Sequence, residues 1–234
     1  QDYKRGIDTI TKRTKFSGGT GVLPEGLLKP STVYYAGIIC LILGSLAGVY
    51  FVMLHGWIIA AILGFAVLSI YFYSTKIVDS GLSEIFVGIK GAMIVLGTMF
   101  IQTEQILPTN ILAGIIAGTL SAFVLFITSF PDHDADKQKG RKTLVIVLGK
   151  VQAANLYAVF PCVAYGLVVL GIVLNLLPVH SAMVFATMPM VLQANKKIKS
   201  SLDDMIQFTK IMKTTVMYSR ITGALFVISI IIAS

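Results

Sequence analysis

Three aspartates at every second position, Asp132, Asp134 and Asp136, are the residues of this sequence best suited to carry out chemistry. They follow directly on a strongly apolar run at residues 110–130, and basic residues come next. Carboxylate oxygens are preferred ligands of Mg²⁺, which commonly joins one or two carboxylates to substrate phosphates. An i to i+4 spacing puts Asp132 and Asp136 on one face of a helical turn, while Asp134 points elsewhere. We therefore expect Asp132 and Asp136 to bind Mg²⁺ and rank Asp134 below them.

A second acidic segment near the start of the chain has a similar arrangement. The sequence DYKRGID at residues 2–8 carries two carboxylates and is followed by Lys, Arg and Thr, as DHDAD at residues 132–136 is. The alternative for each segment is a solvated loop that caps a helix. Two such loops facing each other would hold a diphosphate between metal ions, which makes Asp2 and Asp8 candidates for the same site.

The elements that must position these aspartates are membrane spans. Hydrophobic residues make up 56% of the chain and charged residues 13%, which is about half the charged share of a soluble domain. Seven apolar runs predict an all-α, polytopic transmembrane helix bundle that forms one domain over residues 1–234, with the aspartates in loops at 1–30 and 130–150. The predicted spans are 31–53, 57–73, 85–101, 110–130, 151–177, 180–192 and 214–234.

The net charge of +8 indicates topology and not nucleic-acid binding. Lys and Arg are confined to alternate connections, apart from Lys90 and Arg220 inside spans. This is the positive-inside pattern, so these connections are predicted to face the cytoplasm. All acidic residues except Glu104 fall on the same side. The pattern predicts a multi-pass integral membrane protein whose active-site loops are cytoplasmic and whose site opens to one side and to the lipid.

Four segments resemble the UbiA superfamily of intramembrane aromatic prenyltransferases. QDYKRGID is similar to the end of the family's first aspartate motif, and FPDHDADKQKGRKTLVIVLG resembles its second. SGGTGVLPEGLLKP and STKIVDSGLSE resemble two further segments, the first of them typical of the menaquinone-type, dihydroxynaphthoate prenyltransferase branch. Family members have nine transmembrane helices, which implies that the first helix and most of the second precede Gln1. Thr128 occupies a place where many relatives carry Asn.

The resemblance implies an enzyme that uses Mg²⁺ held by Asp2, Asp8, Asp132 and Asp136. These ions would bind the diphosphate of an allylic isoprenyl donor and assist its departure. An aromatic acceptor such as dihydroxynaphthoate would then attack the allylic cation within a dry, apolar cavity in the lipid bilayer. Loss of a proton, or of carboxylate from dihydroxynaphthoate, would restore the aromatic ring.

Several other residues have two possible roles each. Lys76 matches the family's loop lysine, and it could bind the diphosphate or extend to the lipid interface. Tyr71 and Tyr73 could face the allylic cation or belong to the aromatic belt. Lys90 could be functional or could extend to the headgroups. The basic residues of the two motifs also have two possible roles: they could bind the diphosphate, or they could anchor cytoplasmic loops by the positive-inside rule. These residues are Arg5, Arg141 and Lys142.

Other functions remain open from the sequence. The acceptor could instead be hydroxybenzoate, homogentisate, a haem or chlorophyll precursor, or a glycerol-phosphate lipid. A cation-coupled transporter using the aspartates as ion sites is the alternative from another class, although it would place carboxylates deep within spans. The segment at residues 194–215 is predicted to be an amphipathic connection lying at the membrane interface.

Overall fold

The computed structural model describes Tyr3, Gly6, residues 19–73 and residues 77–233. In these residues the chain is helical and contains no strand, which confirms the all-α prediction. The α-helices are α1 (Pro30–His55), α2 (Trp57–Tyr73), α3 (Ser83–Thr103), α4 (Pro108–Gln138), α5 (Leu144–Leu148), α6 (Lys150–Asn155), α7 (Val159–Val173), α8 (Met188–Ile198) and α9 (Met205–Ala233). Short 3₁₀ helices lie at Ile77–Asp79, Val179–Thr187 and Lys199–Ser201.

Five segments of the described chain are long and apolar enough to cross a membrane. They are α1, α3, α4, the Lys150–Val173 segment that joins α6 to α7, and α9. Helix α2 is equally apolar but has only 17 residues. These six elements correspond to six of the seven predicted spans, and the prediction of a polytopic helical membrane protein is confirmed.

The remaining predicted span, at residues 180–192, is built differently from a single α-helix. It consists of nine residues of 3₁₀ helix, Val179–Thr187, followed by the eleven residues of α8. At about 2.0 Å and 1.5 Å per residue the two pieces together are about 35 Å long. That length still exceeds a hydrocarbon core of about 30 Å.

Hydroxyl groups hold this irregular segment against α7 and α9. Thr187 Oγ1 donates to the Val184 carbonyl at 2.7 Å. The same oxygen lies 2.9 Å from Tyr165 Oη and 2.9 Å from Thr222 Oγ1. Because a hydroxyl has one proton to give, both neighbours must donate to Thr187. Hydrogen bonds of this kind join helices where the hydrophobic effect cannot, since the surrounding lipid is as apolar as the helix faces.

Helix α4 is the central element of the bundle, packing against α3, α7 and α9. The ring centroid of Phe123 in α4 lies 4.8 Å from that of Tyr157 and 5.2 Å from that of Phe160. Phe126 also contacts Phe160, with ring centroids 4.9 Å apart. These offset and edge contacts fix the rotation of α4 relative to α7. They therefore determine which face of α4 is turned toward α3.

Helices α3 and α4 approach closely because glycine lies on both sides of their contact. A Cβ at Gly118 would collide with the carbonyl oxygen of Gly88. One turn earlier, a Cβ at Gly114 would lie 3.1 Å from the Ala92 carbonyl oxygen. Small residues four apart allow such backbone contact in membranes. Helices α3 and α4 therefore form a closely packed pair. The start of α3 and the end of α4, both on the predicted cytoplasmic side, carry the candidate functional residues.

Candidate active site

The second aspartate segment lies on helix α4 and not in a loop. Helix α4 continues through Pro131 to Gln138, so Asp132 and Asp136 occupy its last two turns. A loop was predicted at residues 130–150, but it begins only at Lys139. Pro131 lacks an N–H and could have ended the helix, yet α4 continues past it. The expected shared face of the two aspartates is present, since they are one turn apart. Asp136 is 4% exposed and Asp132 is half-buried.

A Schellman turn ends α4 and brings a cation onto Asp136. The Arg141 N–H donates to the Asp136 carbonyl at 3.0 Å and the Gly140 N–H donates to the Lys137 carbonyl at 3.2 Å. Gly140 takes the left-handed conformation that this turn requires, with φ of 78°. The reversal points Arg141 back along the helix, and its Nη1 donates to Asp136 Oδ1 at 3.2 Å. The spacing D-x-x-x-G-R thus builds a carboxylate–guanidinium pair from local structure alone.

Asp134 has different neighbours. Its Oδ2 accepts from Lys150 Nζ at 2.9 Å, and its Oδ1 lies 2.7 Å from His133 Nδ1. The side chain is 72% exposed. Asp134 therefore connects the end of α4 to the start of α6 at the protein surface.

Glu84 is the residue of this region whose role sequence inspection missed. It lies in the first turn of α3, is 4% exposed, and accepts the Leu144 N–H with Oε1 at 3.2 Å and Oε2 at 3.3 Å. Ser83 Oγ donates to the same carboxylate at 2.9 Å. Leu144 follows the Arg141 loop directly, so Glu84 attaches that loop to α3. The only signal in the sequence was the family-like ending Gly-Leu-Ser-Glu at residues 81–84.

A second contact joins the Arg141 loop to the segment preceding α3. The Lys142 N–H donates to the Val78 carbonyl at 3.1 Å. Thr143 then caps α5, its Oγ1 accepting the Ile146 N–H at 3.4 Å. The side chain of Lys142 is exposed. The loop carrying Arg141 and Lys142 is therefore held on both sides by backbone and buried carboxylate contacts.

An apolar groove of about 370 Å³ lies between α3, α4 and α7 beside this loop. Glu84 and Leu144 line one end of it, and Gly118 and Ala122 of α4 line its floor. Eighteen residues separate Gly118 from Asp136, which is about five complete helical turns. The groove and Asp136 therefore share one face of α4.

Four of the predicted site residues lie outside the described residues: Asp2, Arg5, Asp8 and Lys76. Of the first aspartate segment the structure describes Tyr3 and Gly6, where the Gly6 N–H donates to the Tyr3 carbonyl at 3.0 Å. The roles predicted for these four residues stay predictions.

The two tyrosines at the end of α2 have unlike surroundings. Tyr71 is 65% exposed and its ring contacts Phe72 edge-on at 5.2 Å, as expected of a residue in an aromatic belt. Tyr73 is half-buried and stacks on Phe86 with centroids 6.1 Å apart. Lys90 Nζ lies 5.9 Å from the centre of the Tyr73 ring. The cation that the Tyr73 ring faces in this structure is thus Lys90, which extends toward the end of α3 where Glu84 lies.

Thr128, the departure from the family pattern, takes part in the helix. Its Oγ1 lies 2.9 Å from the Val124 carbonyl and 3.1 Å from the Leu125 carbonyl. The hydroxyl proton is therefore given to the backbone of α4.

The carboxylates at the end of α4 are suitable ligands for Mg²⁺, but they do not form a complete coordination shell. Among the residues that the structure describes, no three His, Cys, Asp or Glu side chains are grouped closely enough to hold a metal ion. Mg²⁺ usually takes one or two carboxylates and completes its shell with water and substrate phosphate. Asp132 and Asp136, one turn apart on one face, fit that requirement.

Two proteins of known name are similar in sequence to this chain. A 1,4-dihydroxy-2-naphthoate octaprenyltransferase of Bacillus subtilis (strain 168) is 33% identical over 179 residues, covering 73% of this chain and 56% of the relative. The enzyme of the same name from Escherichia coli (strain K12) is 26% identical over 224 residues, covering 90% of this chain and 71% of the relative. The chain thus spans little more than half the length of the first of these relatives. No solved structure matches it significantly. The model of the UbiA prenyltransferase family matches residues 2–216, and the chain belongs to this family.

Proposed function

We propose that this protein transfers an isoprenyl group from an allylic isoprenyl diphosphate to an aromatic acceptor within the membrane, in a Mg²⁺-dependent reaction. The observation that carries the proposal is the end of α4, where Asp132 and Asp136 share a face and Arg141 pairs with Asp136 at 3.2 Å. Carboxylates for a metal ion and a guanidinium for phosphate oxygens are the two recognition elements that a diphosphate needs.

In this proposal Asp132 and Asp136 hold the metal ion, together with Asp2 and Asp8 of the first aspartate segment. Bound Mg²⁺ supplies positive charge to the diphosphate as the carbon–oxygen bond of the donor breaks. Arg141 would exchange its contact with Asp136 for one with a phosphate oxygen of the donor. Lys142 of the Arg141 loop, Lys76 of the segment before α3 and Arg5 of the first aspartate segment are proposed to add positive charge.

The chemistry at carbon needs little more than a dry and apolar enclosure. Departure of the diphosphate leaves an allylic cation, and a ring carbon of the acceptor forms the new carbon–carbon bond. A proton or, from an aromatic carboxylic acid, carbon dioxide then leaves the ring. Exclusion of water by the surrounding helices prevents the cation from being trapped as an alcohol.

The apolar groove between α3, α4 and α7 is proposed to take the far end of the isoprenyl chain. Ala122 on its floor is ten residues from Asp132, which corresponds to about 15 Å along α4. With the diphosphate bound at Asp132, the isoprenyl chain would therefore need several isoprene units to reach Ala122. The groove is lined by hydrocarbon apart from Glu84 and Thr119, which suits an isoprenoid.

Dihydroxynaphthoate is the acceptor that we propose, because both relatives carry its name. The transporter alternative has less support, since the chain belongs to a prenyltransferase family and its aspartates lie at the end of α4, away from the middle of the span.

The test is a transfer assay in membranes that contain the full-length protein. Labelled octaprenyl diphosphate would be supplied with 1,4-dihydroxy-2-naphthoate, 4-hydroxybenzoate or homogentisate, in Mg²⁺ or in EDTA. We expect a Mg²⁺-dependent product with dihydroxynaphthoate that is lost in Asp132→Ala. Asp203→Ala, a change of an exposed aspartate that belongs to neither aspartate segment, is the matched control and should keep activity.

The outcomes separate the parts of the proposal. Product with a different acceptor would retain the prenyltransferase and overturn dihydroxynaphthoate as its substrate. Product that is equally abundant in EDTA or in Asp132→Ala would overturn the role of the α4 carboxylates. Absence of product with every acceptor would overturn the proposed reaction.

A further inference from the structure

A polar groove of about 210 Å³ lies between α8 and α9, separate from the candidate active site. Residues one turn apart on each helix face each other across it. Its polar lining comprises Gln193, Lys197, Ser201, Gln207, Lys210 and Thr214. We call it the basic groove, since both of its charged residues are lysines.

The two lysines of the basic groove have no protein counterion in the described part of the chain. No carboxylate there lies within salt-bridge distance of Lys197 or Lys210. The nearest acidic residue in sequence to α9 is otherwise engaged, because Asp204 Oδ1 accepts the N–H groups of Ile206 at 2.9 Å and Gln207 at 3.1 Å. Asp204 therefore caps α9 and forms no ion pair with Lys197 or Lys210.

The basic groove lies toward the same end of the bundle as the aspartates of α4. The ring of Phe208 in the first turn of α9 packs on Phe130 with centroids 5.2 Å apart. Phe130 immediately precedes the aspartate segment, and Lys210 is two residues from Phe208. This end of the helices is the one predicted to lie at the cytoplasmic interface, where anionic headgroups are found.

Apolar surface continues from the groove on both helices. Leu192 beside Gln193 is 52% exposed, and Ile206 beside Gln207 is 75% exposed. Helix α8 as a whole has one polar and one apolar face, as helices at membrane interfaces do. Phosphate-binding lysines next to exposed hydrocarbon are what a whole lipid molecule requires, with its headgroup in the groove and its chains outside it.

We propose that the basic groove binds the headgroup of an anionic phospholipid. Lys197 and Lys210 contact the phosphate from opposite helices, and the amides of Gln193 and Gln207 hydrogen-bond to the remaining headgroup oxygens. Such a lipid would add a contact between α8 and α9, which also pack directly against each other.

The test measures lipid binding to the full-length protein in detergent by native mass spectrometry. Dioleoyl phosphatidylglycerol and dioleoyl phosphatidylcholine would be titrated in parallel. Each lysine close to an anionic lipid increases the affinity for that lipid about fivefold. We therefore expect phosphatidylglycerol to bind about 25-fold more weakly to Lys197→Gln/Lys210→Gln and about fivefold more weakly to Lys210→Gln alone, while phosphatidylcholine binding does not change.

A double variant with the same change of charge provides the control. Lys196→Gln/Lys213→Gln removes two exposed lysines of α8 and α9 that do not line the groove. It should keep wild-type affinity for phosphatidylglycerol. An equal loss in this control would show general surface attraction and overturn the proposal.

Inorganic phosphate distinguishes a lipid site from a site for a free anion. We expect millimolar phosphate to leave phosphatidylglycerol binding unchanged. Displacement of the lipid by phosphate in the wild type, with a dependence on Lys197 and Lys210, would overturn the lipid as the ligand. Unchanged lipid affinity in Lys197→Gln/Lys210→Gln would overturn the site itself.

Discussion

At the scale of single residues, the aspartates of α4 differ because a helix sends alternate positions in different directions. Asp136 is buried and paired with Arg141, whereas Asp134 is exposed and bound to Lys150. The spacing was enough to predict this difference, since it depends only on helical periodicity. The partners were not predictable, because Lys150 is brought to Asp134 by the turn at residues 139–143 and the short helix after it.

Glu84 gives the first prediction at this scale. Glu84→Ala leaves the partly buried Leu144 N–H without its carboxylate acceptor, which costs about 1–3 kcal/mol of folding free energy. Glu84→Gln retains a carbonyl oxygen in the same place and should cost less. Thermal unfolding of both variants in detergent measures the difference.

Glu84 should also affect the reaction through the position of the Arg141 loop. We expect Glu84→Ala to raise the KM for the diphosphate donor severalfold more than it lowers kcat, with Glu84→Gln restoring most of the loss. Equal kinetic constants for Glu84→Ala and the wild type would show that the contact stabilises the fold without positioning the loop.

At the scale of elements, the Schellman turn at the end of α4 gives the second prediction. Gly140 has a φ of 78°, and a side chain in the left-handed region costs about 1–2 kcal/mol. Gly140→Ala should therefore destabilise the protein and displace Arg141 from Asp136, lowering transfer activity. Thermal unfolding and the transfer assay measure the two effects.

The matched control for Gly140 is a glycine within a helix. Gly166 of α7 has no positive φ and no atom within 4 Å of the place where a Cβ would be. Gly166→Ala should leave activity unchanged and raise stability slightly, because alanine is the better helix former. A loss of activity in Gly166→Ala as large as in Gly140→Ala would contradict a specific role for the turn.

The apolar groove gives the third prediction. Ala122→Trp fills its floor, and the obstruction lies about 15 Å from Asp132 along α4. Transfer from octaprenyl diphosphate should fall by tenfold or more because of the overlap, on the order of 1.4 kcal/mol or greater. Transfer from geranyl diphosphate should change little, since its chain is too short to reach Ala122.

The control for the groove is another substitution to tryptophan elsewhere on α4. Ile111 is 41% exposed and does not line the groove, so Ile111→Trp should leave both donors unaffected. Equal loss with short and long donors in Ala122→Trp would place the isoprenyl chain elsewhere.

At the scale of the whole molecule, hydropathy and charge were sufficient to predict the fold class. Long apolar runs bounded by basic connections correspond to helices in the structure, because a chain in lipid must satisfy its backbone within each span. The segment at residues 180–192 was not predictable in form. Its 3₁₀ geometry depends on hydroxyl contacts of Thr187 with Tyr165 and Thr222, which are distant in sequence.

The candidate site was predictable only where its residues are close together in sequence. Asp132, Asp136 and Arg141 are close in sequence and come together through one helix end. Glu84 is sixty residues from Leu144, and only the packing of α3 on α4 brings them into contact. Local sequence patterns thus predict which carboxylates share a helix face, whereas the residues that contact the Arg141 loop from elsewhere in the chain require the fold.

The central claim is that the α4 carboxylates hold the donor diphosphate through Mg²⁺. Its most direct test is the binding of labelled octaprenyl diphosphate to the full-length protein in Mg²⁺ and in EDTA, for the wild type, Asp132→Asn, Asp136→Asn and Asp134→Asn. We predict Mg²⁺-dependent binding in the wild type and in Asp134→Asn, and its loss in the other two variants. Binding that is equally tight in EDTA, or unaltered in Asp132→Asn and Asp136→Asn, would contradict the claim.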